Sequence, residues 1–460
     1  MTVQEYFDAL RGRQVTVVGL GISNRPLVRM LLSRGIPVEC RDRTPREKLD
    51  PEVLELEASG AVLHLGEDYL EDIHGDVVFR TPGLNAFCPQ LEQLRKDGAW
   101  VTSEMEAFFT VCPCPIIGVT GSDGKTTTTT LIAKLLELSG RRVFCGGNIG
   151  RPLLPEAETM GPSDVAVVEL SSFQLMDMDV SPQTAVITNL SPNHLDIHRD
   201  MAEYVAAKEN IYLHQTPEDL VVLNRDNDLT DSFVPRAKGR VLQFSRIHRI
   251  ENGYRLREDG MILRVREGLE TELFPADRIL IPGVHNIENY MAAFCAVGEM
   301  VPPEIMEQLA ATFGGVDHRI QLIREKDGVR YYDSSIDSSP NRTIACLRSF
   351  SEKVILVAGG KDKGIAYDDL GPVLRERVKL MVLTGMTAGK IRASAQQVPG
   401  WDNTNPEILD VEDFDEAIRV AASKARPGDA VVLSPASTSF DRFRNFEERG
   451  NRFQQVVRSL

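Results

Sequence analysis

The chain has 460 residues, and 52 lysines and arginines against 67 aspartates and glutamates give a formal net charge of −15. That length exceeds what one hydrophobic core organises, so two to four domains are expected. The acidity, with no basic run, argues against a nucleic-acid partner, and no apolar stretch reaches the length of a membrane span.

The N-terminal stretch MTVQEYFDALRGRQ lacks the basic start, apolar middle and small-residue cleavage site of a signal peptide. A cytoplasmic protein with no membrane partner is expected. The first α/β unit follows in QVTVVGLGISNRPLVRMLLSRGIPVECRDR, read as strand, glycine turn, helix, strand. Gly19 and Gly21 supply the first two glycines of a dinucleotide fingerprint, but Asn24 stands at the third place. Asp42 follows the second strand, where a ribose-binding acid sits in such folds. A phosphate or nucleotide turn, a nicotinamide site and a ligand-free tight turn all remain open there. VVFRTPGLN is a further strand running into a turn at Thr81-Pro82-Gly83.

Next comes CPCP, in which Cys112 and Cys114 have no second pair at zinc-site spacing. Seven cysteines in so long a chain fit reduced thiols better than a disulfide framework. In PIIGVTGSDGKTTTTTLIAKLLEL, Ile116, Ile117 and Val119 read as a buried strand, Gly121 to Thr126 as a turn, and Leu131 to Leu138 as a helix. The usual phosphate loop opens with glycine five places before its Gly-Lys, and here that place holds Val119. The loop retains the means to bind a triphosphate. Backbone N–H groups and the helix start can face an anion, Lys125 can reach the outer phosphates, and Thr126 can offer a hydroxyl to Mg²⁺. The alternative is a polar turn with a solvated lysine.

DVAVVELSSFQL and TAVITNLSPNHLDIH are β-rich runs that end in polar residues, and their alternation with helices predicts a mostly parallel sheet. Gly124, Lys125, Glu169 and His194 fall at or just after strand ends, where ligands of such sheets collect. A carboxylate such as Glu169 at a buried strand end needs a cation or a hydrogen-bonding partner. Between Arg240 and Ile281, ENGY and EDGM read as hairpin turns of a small antiparallel patch. HNIENYMAAFCAVGEM resumes helical spacing. From FGGVDHRIQ onward, KVILVAGGKDKG, LMVLTGMTAG and DAVVLSPASTSF again run from strand to polar turn. The fold class expected is therefore α/β.

These motifs carry a resemblance. GVTGSDGKTTT is similar to the TGxxGKT loop of the Mur peptide ligases and their folylpolyglutamate synthase relatives, in which the early glycine is commonly replaced. GGNIGRPL, ELSSFQL, NLSPNHLDIH, PGVHNIENYMAA, VDHR and LSPASTSFDRFRNFEERGNRF extend the match over nearly the whole chain, in the family's order. The resemblance implies three domains. These are an N-terminal Rossmann-like domain (1–105), a central P-loop domain with the antiparallel patch (106–315) and a C-terminal Rossmann-like domain (316–460).

The resemblance further implies an ATP-dependent amide ligase. SSFQL and SFDRFRNFEERG are most similar to the member that adds D-glutamate to UDP-N-acetylmuramoyl-L-alanine. The alternative is a related ligase with another amino acid, or a folate polyglutamylating enzyme. Gly121, Ser122, Asp123, Gly124, Lys125, Thr126 and Thr127 would hold the phosphates, with Asn286, Asn289 and Arg319 on the nucleotide. Two Mg²⁺ sites would draw on Thr126, Glu169, His194 and Lys208, the last matching a lysine that CO₂ converts to a carbamate. Gly21, Asp42, Pro82 and Gly83 would cradle the UDP group, and Asn148 and Ser171 would lie near the muramoyl part or the phosphates. His318 would close over the site. Ser338, Lys363, Ser439 and Phe446 would hold D-glutamate. A monomer is expected.

Two departures stand out. The family often has Asp-His where this chain has Asn193-His194. It often has Asn-Asp-Ser where this chain has Asp333, Ser334 and Ser335, leaving Asp333 or Asp337 to replace the lost acid.

Overall fold

The computed structural model describes every residue except 149, 194–197 and 403. Three sheets organise the described residues. The first contains β1 (Val15–Val18), β2 (Val38–Asp42), β3 (Val62–Leu65), β4 (Val77–Arg80) and β5 (Trp100–Thr102), in the order β3-β2-β1-β4-β5. All its pairings are parallel. β1 and β4 are buried at every residue, as expected for strands with both faces covered.

The second sheet has nine strands. They are β6 (Ile116–Thr120), β7 (Val143–Gly147), β8 (Val165–Glu169), β9 (Thr184–Ile187), β10 (Leu220–Asn224), β11 (Arg240–Ser245), β12 (Gly253–Leu256), β13 (Met261–Arg266) and β14 (Leu269–Pro275). Their order is β14-β13-β12-β11-β10-β9-β6-β8-β7. β6, β8 and β10 are buried throughout. The antiparallel patch is therefore an extension of the central sheet. Of the two expected hairpin turns, EDGM joins the antiparallel pair β12–β13. ENGY does not make a hairpin, because β11 and β12 pair in parallel, Gln243 opposite Gly253. The close approach explains the glycine, since a Cβ on Gly253 would run into the Gln243 backbone. β14 closes this end of the sheet, with Leu269 exposed and Glu270 and Glu272 paired with Arg255 and Arg257.

The third sheet has the order β15-β16-β20-β17-β18-β19. It is built from β15 (Gln321–Lys326), β16 (Val329–Asp333), β17 (Val354–Ala358), β18 (Val378–Leu383), β19 (Glu407–Asp410) and β20 (Ala430–Leu433). Among the described residues only the β15–β16 pair of this sheet is antiparallel. Alternate residues of β17 feed two cores: Leu356 and Ala358 on one face, Ile355 and Val357 on the other.

The chain separates into two compact units, Met1–Ala276 with Glu288–Leu309, and Asp277–Ile287 with Ala310–Leu460. The first two sheets share the first unit. Within it Arg80, buried at the end of β4, reaches across to Asp177 (Nε to Oδ1, 3.0 Å) and Arg95 joins the same carboxylate at 2.7 Å. Among the described residues no helix is long and apolar enough to cross a membrane.

The helix after β6 begins earlier than its apolar residues suggest. It spans Lys125–Leu138 and takes in the whole threonine run. β-branched threonines disfavour a helix only slightly, and burial of Leu131, Ile132, Leu135 and Leu136 outweighs that at about 1.5–3 kcal/mol each.

Candidate active site

Gly124 precedes the helix in the left-handed region, at φ 77°, and Gly121 has φ 149°. A Cβ on Gly121 would collide with the Thr188 hydroxyl, and one on Gly124 with Asn289 Oδ1. Both glycines are thus required by the close approach of Thr188, just after β9, and of Asn289. Val119, by contrast, is simply core, with no exposure.

The loop is held in shape from below. Ser122 Oγ donates to the Ser191 carbonyl at 3.0 Å, accepts from the Ser191 amide at 2.9 Å and meets the Tyr204 hydroxyl at 2.9 Å. The Asp123 amide donates to Asn189 Oδ1 at 3.0 Å, and its carbonyl accepts from the Thr188 hydroxyl at 2.6 Å. The Asp123 side chain is left exposed. Lys125 Nζ donates to the Gly121 and Ser122 carbonyls, each at 2.9 Å, which lays the ammonium along the loop. Thr127 is half-buried in the first turn, which contains no acidic residue to compete with an anionic ligand for the helix dipole.

Glu169, 1 % exposed at the end of β8, is the centre of a short hydrogen-bonded chain. Its Oε2 accepts from the Thr126 hydroxyl and its Oε1 from Asn148 Nδ2, both at 2.8 Å. A carboxylate and a hydroxyl within hydrogen-bonding distance at a phosphate loop form an oxygen donor set of the type hard divalent cations take. Lys208 is equally buried. Its Nζ donates to Thr120 Oγ1 at 3.0 Å and to the Gly121 carbonyl at 2.9 Å. Burial, and then repulsion from Lys125, hold its amine well below the ordinary lysine range. The strands therefore bring together Lys125, Thr126, Asn148, Glu169 and Lys208. Ser171 caps the short Ser172–Leu175 helix just beyond β8, accepting from the Gln174 amide at 3.3 Å. Asn289 is buried and accepts from the Thr128 hydroxyl at 3.3 Å. His194 lies outside the described residues. Asn286, also buried, belongs to the other compact unit.

Sequence reasoning missed three supports of this site. Thr120, Tyr204 and His198 gave only a threonine after a strand, a helical tyrosine and the second histidine of HLDIH. His198 is 2 % exposed, stacks on Phe173 with centroids 5.3 Å apart, and bonds Ser172 Oγ through Nε2 at 2.9 Å.

At the carboxyl ends of the adjacent strands β1, β2 and β4, the structure assembles Gly21, Asp42, Pro82 and Gly83. The Asp42 carboxylate accepts from the Leu20 amide at 2.7 Å and the Thr44 amide at 2.8 Å. Gly21 is exposed, and Pro82 and Gly83 occupy the turn closed by the Leu84 amide on the Thr81 carbonyl at 3.1 Å. Gly19, at φ 84°, lies so close to Thr81 that no Cβ would fit. Asn24, at the third glycine position, is buried and donates to the Gly19 carbonyl at 2.8 Å, so it secures the turn.

In the second unit His318 adopts a left-handed φ of 60°, and its Nδ1 meets Asp333 Oδ2 at 2.8 Å. That hydrogen bond raises the imidazole above its ordinary range. Gln454 Nε2 donates to the same oxygen at 3.0 Å, and Phe446 presents its ring edge-on to His318 with centroids 6.1 Å apart. Gly450 leaves room for the pair, since a Cβ there would strike His318 Nδ1. Asp333 is thus committed to His318. Asp337 is the acid beside Ser334 and accepts from the Ser434 hydroxyl at 2.7 Å; burial pushes it up to about 6. Ser334 is itself buried. The Arg319 amide donates to the Val316 carbonyl at 3.0 Å, and the Ser338 hydroxyl donates to the Ile336 carbonyl at 3.2 Å. Lys363 is exposed on the loop after β17, and Ser439 is buried after β20. A cavity of about 810 Å³, lined in part by Lys361, Thr384, Asp410 and Arg442, opens at the ends of β18 and β19; none of the four D-glutamate candidates lines it.

Residues 119–297 match the Mur ligase middle domain, and residues 318–437 match the Mur ligase glutamate ligase domain. Proteins named UDP-N-acetylmuramoylalanine–D-glutamate ligase align along the full chain. The one from Ruminiclostridium cellulolyticum is 46% identical over 100% of this chain and 99% of its own. Those from Acetivibrio thermocellus and Clostridium novyi are each 47% identical at the same coverage. Among solved structures, the UDP-N-acetylmuramate–alanine ligase of Thermotoga maritima superposes with a TM-score of 0.56 at 18% identity, covering 97% of this chain and 99% of that one. A UDP-N-acetylmuramoyl-L-alanyl-D-glutamate–2,6-diaminopimelate ligase gives 0.56 at 19% identity over 92% of each chain. With full-length relatives at this level of identity, the chain belongs to the Mur ligase family.

Proposed function

We propose that this protein is an ATP-dependent ligase that joins D-glutamate to the alanine carboxylate of UDP-N-acetylmuramoyl-L-alanine, a step of peptidoglycan precursor synthesis. The observation that carries the reading is the meeting of Lys125, Thr126, Glu169 and Lys208 at one end of β6 and β8, in a chain whose full-length relatives bear that name.

An amide does not form favourably from a carboxylate and an amine in water, so the acid must first be activated. The γ-phosphoryl group of ATP passes to the alanine carboxylate, giving an acyl phosphate and ADP. The D-glutamate amine attacks the acyl carbon, and phosphate leaves as the amide forms. Lys125 and the loop amides from Ser122 to Thr127 bind the triphosphate and stabilise charge on the transferred group. Asn286, Asn289 and Arg319 hold the nucleotide. Thr126, Glu169, His194 and Lys208 would hold two Mg²⁺ ions, which supply Lewis-acid neutralisation of the phosphate oxygens. Lys208 serves that set as a carbamate, and its depressed basicity favours the neutral amine, the form that reacts with CO₂.

Gly21, Asp42, Pro82 and Gly83 receive the UDP group; Asn148 and Ser171 lie near the muramoyl part or the phosphates. Ser338, Lys363, Ser439 and Phe446 take D-glutamate, with His318 beside Phe446. The protein works in the cytoplasm as a monomer. The test is isotopic. With ¹⁸O in the alanine carboxylate, ATP and D-glutamate, one label should emerge in orthophosphate and the product mass should gain one glutamyl residue. Phosphate free of label would overturn the acyl-phosphate route. A product carrying a different amino acid from a mixed panel would overturn the choice of D-glutamate.

A further inference from the structure

The proposed ligase chemistry leaves CPCP without a role. The segment continues the Glu104–Val111 helix, which ends at Cys112, and leads into β6, the strand that bears the phosphate loop. Cys112 is half-buried and Cys114 is buried in the core of the first unit. Their sulfurs lie 3.5 Å apart, and Cys112 Sγ is also 3.4 Å from the Cys114 carbonyl and 3.9 Å from Met160 Sδ. The other five cysteines are free, and among the described residues no cluster of histidine, cysteine and acidic groups could hold a metal ion.

The geometry points to Cys112 and Cys114 as a reversible dithiol–disulfide pair, closed by exchange with a low-molecular-weight disulfide. The sulfurs are already in van der Waals contact, and bond formation requires an approach of about 1.5 Å. The two thiols are unequal. Cys112 is the more accessible, and the hydrogen bond from Cys114 favours its thiolate; burial and that same neighbour disfavour the Cys114 thiolate.

The order of events follows. The Cys112 thiolate attacks one sulfur of the external disulfide, expels one thiolate, and is left as a mixed disulfide. Cys114 gives up its proton and attacks the Cys112 sulfur, expelling the second external thiolate. Two electrons pass from the cysteine pair to the external disulfide, which departs as two thiols once protonated. A small ring spanning one proline is strained, so the pair should be reduced readily and close only when oxidised disulfide is in excess.

The test uses the full-length folded protein in glutathione buffers of graded ratio, quenched by alkylation. Cleavage after Lys96 and Lys125 releases both cysteines in one peptide that contains no other cysteine. In excess oxidised glutathione this peptide should lose two hydrogens and take no alkyl label, and dithiothreitol should restore two labelled thiols. Cys114→Ser should stop at a glutathione adduct on Cys112. Two alkylatable thiols throughout, a wild-type product that stops at the Cys112 adduct, or pairing of either residue with a different cysteine would each overturn the assignment. The readout does not depend on ligation, so its failure leaves the proposed activity untouched.

Discussion

Burial of the Lys208 amine between Thr120 and Gly121 and the placement of Lys125 along its own loop make different demands on two lysines a few ångströms apart. Lys125 must stay charged, so Lys125→Ala should lower kcat by about 10²–10³ or more while leaving the thermal midpoint near that of wild type. Steady-state kinetics and a melting curve check both halves. Lys208 must be neutral to be carbamylated, so Lys208→Ala should lose activity and recover part of it with added acetate or formate, which can supply the missing oxygen ligand. Near-wild-type activity without additive would remove the carbamate from the mechanism. At this scale the sequence was legible where chemistry is local: Gly121, Gly124, Lys125 and Thr126 lie within about six residues, although Lys125 and Thr126 open the helix instead of continuing the turn. Tyr204 under Ser122, and the diversion of Asp333 to His318, depend on residues brought together by folding, which no local pattern encodes.

The Glu104–Val111 helix carries two buried acids in its first turn. A helix N-terminus ordinarily favours carboxylates, but here desolvation wins, and both Glu104 and Glu106 are pushed up to about 7. For Glu106 the nearby Asp177 adds to the effect. A raised carboxyl means that the folded state binds more protons than the unfolded one between the unfolded value, about 4.5, and about 7. Stability should therefore fall as pH rises through that window and level off above it. Glu104→Gln keeps an acceptor for the Leu154 amide and removes the ionisable group. It should raise unfolding free energy at pH 8 by up to about 3 kcal/mol and flatten the pH slope, measured by urea titration at several pH values. No gain at pH 8 would mean that the acid is ionised without penalty. Elements of this size were partly legible. Strand–turn–helix units declared themselves through buried apolar runs, yet the first two turns of the Lys125–Leu138 helix are polar and β-branched and carry little helical signal. ENGY has the composition of a hairpin turn, and only the parallel pairing of β11 with β12 decides otherwise.

Across the whole molecule, α/β alternation announced parallel sheets, but strand order, and the joining of the antiparallel strands to the central sheet, are tertiary facts. The two compact units predict two cooperative transitions in calorimetry. A non-hydrolysable ATP analogue at about 100 times its Kd should stabilise the transition of the unit that carries the phosphate loop by about 2.7 kcal/mol. A single transition unmoved by the analogue would contradict that assignment.

β14 sets a further constraint at the same scale. A terminal strand offers unpaired amides and carbonyls to any neighbouring copy, and this one also exposes Leu269. Glu270 and Glu272 place carboxylates along that border, and Pro275 withholds an amide at its end. Their consequence is colloidal: a second copy adding to this border would have to desolvate the Glu270–Arg255 and Glu272–Arg257 pairs, which disfavours strand-to-strand addition at high concentration. Replacing both glutamates with threonine should leave catalysis intact yet produce turbidity on gentle heating, before either unit melts.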